Sequence, residues 1–147
     1  LGDVSSIRCV EVRRGDFLFS RKNTKELVGA TVVVHDVPRR RLLPDLIFRL
    51  ELVEGAVEAE YLHGLLTNHR KRPQVVALAS GSASSMSNIS QARLKSLIIE
   101  APPIEHQRAF AARVGQINHV RGIHEQTLAA LDNLFASLQS RAFAGQL

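Results

Sequence analysis

The spacing of apolar residues changes twice along the chain, and each change predicts a different kind of element. Up to about residue 56 apolar positions come in short runs or alternate with polar ones, the period of a β-strand. Phe17-Leu18-Phe19 is such a run, introduced by the turn signal Arg14-Gly15-Asp16. Thr31-Val32-Val33-Val34-His35 is β-branched and predicts a buried strand. From Leu46 to Val53 the period is two, with Phe48, Leu50 and Leu52 on one face and Arg49 and Glu51 on the other. Two polar connections separate these runs, Ser20 to Glu26 and Val37 to Arg41.

From Glu58 the period lengthens. Tyr61, Leu62, Leu65 and Leu66 recur at helical spacing, and Arg70-Lys71-Arg72 with Pro73 is expected to end that helix. Gln74 to Ala79 is expected to form a short helix closed by Gly81. The serine-rich stretch "SGSASSMSNISQARLKSL", residues 80–97, then leads to Ser90, a good N-cap. Ile89 and Leu94 stand at the two positions of a hydrophobic staple around it, so a short helix should begin there. Leu97-Ile98-Ile99 is expected as a strand, stopped by Pro102-Pro103.

Beyond the prolines the pattern changes again. Residues 104–144 contain no Pro and only two Gly, which predicts one helix of about 40 residues, roughly 60 Å long. Glu105 in its first turn and Arg141 in its last oppose the helix dipole, and Gly145 lies just past its end. Phe110, Val114, Ile117, Leu128, Leu131, Phe135, Leu138 and Ala142 alternate by four and three, a heptad seam. Arg121 and His124 interrupt it at seam positions. A helix of this length is expected to need a partner helix. The fold class is therefore α+β: a β-rich domain with short helices over 1–101, then a long coiled-coil-forming helix over 102–147.

Composition sharpens this only in places. The 147 residues carry 19 Lys and Arg against 14 Asp and Glu, a net charge of +5, which points to a polyanionic partner. The excess sits in residues 1–50, with ten basic against six acidic side chains, while residues 51–100 hold five of each. One cysteine, Cys9, excludes an internal disulfide and fits a reducing, cytoplasmic compartment. No run approaches the ~18 apolar residues of a membrane span, so no membrane partner is expected.

Catalytic patterns are incomplete. Pro44-Asp45 followed by Glu51 begins a metal-dependent nuclease motif, but its lysine position is Val53. Ala101-Pro102-Pro103-Ile104 lacks the polar grip and the aromatic of a base-amino methyltransferase site, and no phosphate-binding glycine loop occurs. His119 and His124 are five residues apart, the wrong spacing for two ligands on one helix face. No catalytic residue, metal or cofactor is expected.

Binding features are fuller. Ser20, Arg21, Lys22, Asn23 and Lys25 follow a strand and include groups suited to phosphates, guanine edges and adenine edges; a solvated hairpin loop is the alternative. Arg39, Arg40 and Arg41, with Arg70, Lys71 and Arg72, are either phosphate contacts or ordinary surface charge. Ser84, Ser85, Ser87 and Asn88 are small enough to approach a DNA backbone, with Arg93 and Lys95 following; a mobile loop with one capped end is the alternative. Along the helix, Val114, Ile117, Leu128, Leu131, Phe135 and Leu138 are the interface candidates.

Three segments, in order, resemble the DNA specificity subunit of type I restriction-modification systems. "RRGDFLFSRKNT" is similar to the Gly-Asp-x-Leu-x-Ser stretch of its target recognition domains. "SGSASSMSNISQARLKSLIIEAPPIEHQ" resembles its Gly-rich loop, Ile-Ser helix start, and strand leading to Pro-Pro and Gln. "LFASLQSRAFAGQL" resembles the close of its conserved spacer helix. The chain departs from the pattern at His106, where family members usually carry Glu, and matches the later part of one recognition domain plus one helix, as a truncated or split subunit would. The resemblance implies a non-catalytic module that reads a half-site in double-stranded DNA. Its helix would pair with a second specificity half or a second copy and dock the methyltransferase subunit, with the restriction subunit as a further partner. If the recognition part does not read DNA, the same features describe an assembly element that dimerises or docks a methyltransferase subunit through the helix.

Overall fold

A computed structural model of the chain describes residues 10–80 and 86–146. Within it the chain divides into two compact units, one running to Arg108 and the other from Ala109 onward.

The first unit is built around β1 (Phe17–Ser20), the central strand of an antiparallel three-stranded sheet with β3 (Thr31–Val33) on one side and β4 (Ile47–Leu50) on the other. The register sets Phe17 opposite Val33 and Leu50, and Phe19 opposite Thr31 and Phe48. Alternation therefore sends Phe17 and Phe19 to one face, where both are fully buried, each burial stabilising by roughly 1.5–3 kcal/mol. Phe48, Leu50 and Leu52 pack against the same core, as the period of two predicts. Gly15, at φ +89°, makes the turn into β1, a conformation that a Cβ would strain. The next residue ties the turn down: the Asp16 carboxylate accepts the Arg13 backbone N–H at 2.7 Å and the Arg49 guanidinium at 2.6 Å.

β3 is shorter than expected and is not buried. It lies at the sheet edge with one neighbour, so Val32 is half exposed and His35 falls outside the strand. The helix boundaries near residue 70 also shift. α1 (Ala59–Thr67) stops before the basic cluster, and Arg72 and Pro73 begin α2 (Arg72–Ala77). Proline is tolerated in a first helical turn because the N–H it lacks has no partner there. Leu62 and Leu66 of α1 and Val75 of α2 reach the core. Gly81, expected to close the second helix, lies outside the described residues; that helix already ends at Ala77, with Leu78 as its C-cap.

The Ser90 cap forms as predicted: its side chain accepts the Arg93 N–H at 3.3 Å and starts α3 (Gln91–Lys95). Ile89 is fully buried and Leu94 packs on the core, so the staple is present. Among the described residues Leu97 to Ile99 joins no ladder. Leu97 and Ile99 turn to the core and Ile98 is 81% exposed, so the alternation holds without the strand pairing that the apolar run predicted.

α4 (Ile104–Phe143) is a single helix of 40 residues, in agreement with the sequence. Its C-terminus closes as a Schellman motif. Gly145 adopts φ +67°, its N–H donates to Ala142 O at 3.1 Å, and the Gln146 N–H donates to Arg141 O at 2.9 Å. Gln107 in its second turn is fully buried and anchors the start of the helix within the first unit. Its Nε2 donates to Ala56 O at 3.1 Å and Pro102 O at 2.7 Å, while its Oε1 accepts the Glu58 N–H at 2.9 Å.

Candidate nucleic-acid interface

The polar connection after β1 is an ordered element rather than an open loop. Ser20 is buried; its N–H donates to Ala30 O at 2.8 Å and its carbonyl accepts the Gly29 N–H at 2.6 Å. Arg21 lays its guanidinium over the Phe48 ring, 5.0 Å from the centroid, with its Nε buried. Asn23 closes the following turn: Oδ1 accepts the Thr24 N–H at 2.8 Å, and Nδ2 donates to Ser20 Oγ at 3.4 Å. Thr24 O in turn accepts the N–H groups of Leu27 and Val28. Three of the five candidates here, Ser20, Arg21 and Asn23, thus face inward. Lys22 and Lys25 are exposed.

Lys22 and Asn23 also form β2, paired antiparallel with β5 (Ser87–Asn88), so that Lys22 stands opposite Asn88 and Asn23 opposite Ser87. This pairing joins two candidate segments that the sequence keeps apart. The serine-rich stretch is held at both ends: Ser80 and Asn88 exchange backbone hydrogen bonds at 2.9 and 3.0 Å, and the Ile89 N–H donates to Arg21 O at 2.8 Å. Ser84 and Ser85 lie outside the described residues. Arg93 is exposed, and its guanidinium donates to Leu78 O at 3.2 Å.

The two basic triplets separate into different environments. In the second, Lys71 is buried, with its side chain only 6% exposed, and its ammonium meets both Glu100 oxygens at 2.9 and 3.0 Å. That contact holds the Glu100 carboxyl below the usual carboxylate range. Arg72 donates to Glu26 O at 2.9 Å and Val28 O at 2.7 Å. Both cations serve the fold, and only Arg70 of this triplet stands exposed at the surface. The first triplet is exposed throughout; Arg40 pairs with Glu11, and Arg41 O accepts the Val12 N–H at 2.9 Å. It belongs with the Val10–Val12 segment.

In the second unit Ile117, Leu128, Leu131, Phe135 and Leu138 are all exposed, and Val114 is half-buried. Arg121 and His124 are exposed as well. Among the described residues no cluster of His, Cys, Asp or Glu is arranged to hold a metal ion, and no helix is long and apolar enough to cross a membrane. A cleft of about 520 Å³ between β4 and the Leu94–Ile99 segment is lined chiefly by apolar side chains and gathers no acid–base or nucleophilic set.

Several anchoring groups escaped the sequence reading. Gln107 stood in view as a motif letter, but its three buried hydrogen bonds had no sequence signal. The same holds for Lys71 with Glu100 and Asp16 with Arg49, partners 29 and 33 residues apart.

The Gly-Asp-x-Leu-x-Ser stretch therefore occupies the turn and central strand, the Ile-Ser pair fills the staple and cap, and the Gln after Pro-Pro locks the helix start. No protein-family profile matches the chain. Similarity to individual proteins is nonetheless clear. The type I restriction enzyme EcoKI specificity subunit of Escherichia coli is 28% identical over 158 aligned positions, which take in 99% of this chain and 34% of that protein. The proteins it resembles are type I restriction enzyme specificity subunits. The EcoEI specificity subunit of Escherichia coli is 33% identical over 93 residues, 63% of this chain and 16% of that protein. A putative type I specificity subunit, MjaX, of Methanocaldococcus jannaschii is 26% identical over 148 positions, 97% of this chain and 35% of its own length. The chain thus spans about a third or less of the specificity subunits it matches.

Proposed function

We propose that this chain is the DNA-reading specificity module of a type I restriction-modification complex. It carries no catalytic step itself and directs methyltransferase and restriction subunits to a half-site in double-stranded DNA. The observation that carries the reading is the similarity to specificity subunits over nearly the whole chain, with the first two motifs of the resemblance at positions that build or anchor the first unit and the third at the close of α4. The exposed cations Lys25, Arg39, Arg41 and Arg70 supply phosphate contacts on that unit. The exposed seam of α4, from Ile117 to Leu138, supplies the surface for a second specificity helix or a second copy and for subunit docking.

Methylation mapping tests this reading. A type I methyltransferase subunit that co-purifies with the chain is expected to modify a defined set of sites only when the chain is present. Identical methylation with and without the chain contradicts the proposal.

A further inference from the structure

We propose that the cross-strand pair Lys22 and Asn88 is the base-reading element of this chain, a β-ribbon edge presented to the DNA major groove. The assignment rests on the DNA-specificity reading above and narrows it to two side chains. Directly opposed residues of an antiparallel pair point to the same face, about 4.5–5.5 Å apart at Cβ. Lys22 and Asn88 are such a pair. The other face of the ribbon is turned to the body of the unit: Arg21 covers Phe48, both amide atoms of Asn23 are bonded locally, and Ile89 is buried.

On the Lys22–Asn88 face the polar groups have no such commitments. Lys22 is exposed, and among the described residues nothing meets its ammonium. Asn88 holds its Oδ1 buried without a hydrogen-bond partner, a disfavoured state for an amide oxygen. Turning that carboxamide out to an adenine edge satisfies it, since the N6 amino group donates to Oδ1 while Nδ2 donates to N7. The lysine ammonium, a donor only, suits the two acceptors O6 and N7 of guanine. A two-stranded ribbon fits a groove about 12 Å wide, and the flexible lysine stem takes up the difference between the pair's separation and the ~3.4 Å step between successive bases. The ribbon is also firmly based. Asn88 is bonded through its backbone to Ser80, and the following Ile89 and Ser90 are fixed by core packing and the α3 cap. The pair is therefore assigned to one G·C and one adjacent A·T base pair.

The test is selection of duplexes from a randomised library by the full chain. Titrations then follow with the selected duplex, single-base-pair variants of it and an unrelated duplex. Asn88→Ala should weaken binding to the selected duplex roughly 5- to 150-fold, become indifferent to substitution at one A·T pair, and bind unrelated duplex as before. Lys22→Ala should do the same at the neighbouring G·C pair. Asn88→Ser, which keeps a small polar group, is the second variant if Asn88→Ala lowers the unfolding midpoint, and it should lose the same discrimination. Unchanged discrimination in the folded variants overturns the assignment and leaves the DNA-specificity reading standing. A uniform loss across all sequences with a shallower salt slope for Lys22→Ala makes that residue a phosphate contact and also overturns the pair. A wild-type chain that selects no motif removes the specificity reading and the assignment together.

Discussion

Between Phe17 and Ile99 the large apolar side chains mostly cover one another, whereas from Ile117 to Leu138 they all face outward. The first unit closes a core from two phenylalanines of β1, two leucines of α1, Val75 and Ile89. The second unit buries no residue among those described; Leu131 is 57% exposed and Phe135 62%. Cores stabilise a fold by removing apolar surface from water, and a repeated stripe left in water at four–three spacing stabilises something only when another surface covers it. The contrast separates a unit with a core of its own from a helix whose apolar stripe is left in water. It also reassigns the sequence motifs, since those most characteristic of the family resemblance fall on the self-contained unit and hold its turns, caps and helix start.

The core of the first unit is most sensitive to substitution at Gly29. Its φ is +73°, and an added Cβ would stand 2.5 Å from Val75 Cγ1 and 3.1 Å from the Arg72 guanidinium. Gly29→Ala should destabilise the first unit by about 2–5 kcal/mol, from backbone strain together with overpacking. Denaturant unfolding measures this, and a loss below about 1 kcal/mol would mean that the contact between the Gly29 turn and α2 is loose. The second unit is tested by Leu131→Asp with Leu138→Asp. Self-association or subunit binding should weaken more than about a hundredfold, because charges replace seam positions, while unfolding of the first unit stays unchanged. An unaltered sedimentation profile would remove the seam as an interface.

A smaller effect probes the anchor of α4 within the first unit. Gln107→Ala strips the partners from the Glu58 N–H and the Ala56 and Pro102 carbonyls, and should cost about 2–3 kcal/mol after water partly replaces them. The smallest effect concerns Glu100. Its carboxyl titrates below the ordinary range because Lys71 donates to it, so its contribution is complete above the unfolded value near ~4.3 and fades as pH falls through the lower folded value. Glu100→Gln should therefore lower the unfolding midpoint at neutral pH, and the gap from wild type should close as pH falls through the lowered folded value. A gap that persists in acid would show that the ion pair is not its source.

What the sequence made legible was local. α4, the Ser90 cap with its staple, and the strands at Phe17 and Phe48 follow from residue spacing within one or two turns, and the structure has them in place. Pairing over long separations was not legible. Nothing around Lys22 announces Asn88 as its strand partner, and nothing at Leu97–Ile99 reveals that none of the described strands pairs with it. The candidate site suffered in the same way. Composition marked Arg21, Asn23, Lys71 and Arg72 for DNA, but a cation over an aromatic ring or an amide closing a turn is read only from the fold.

The most direct measurement of the central claim is an equilibrium titration of the full chain with its selected duplex and with a scrambled duplex of equal composition, over a series of salt concentrations. Affinity for both should fall as salt rises, with a logarithmic slope of about −0.9 for each phosphate neutralised, and the selected duplex should remain the tighter ligand at every concentration. Superposition of the two curves across the series would contradict the account.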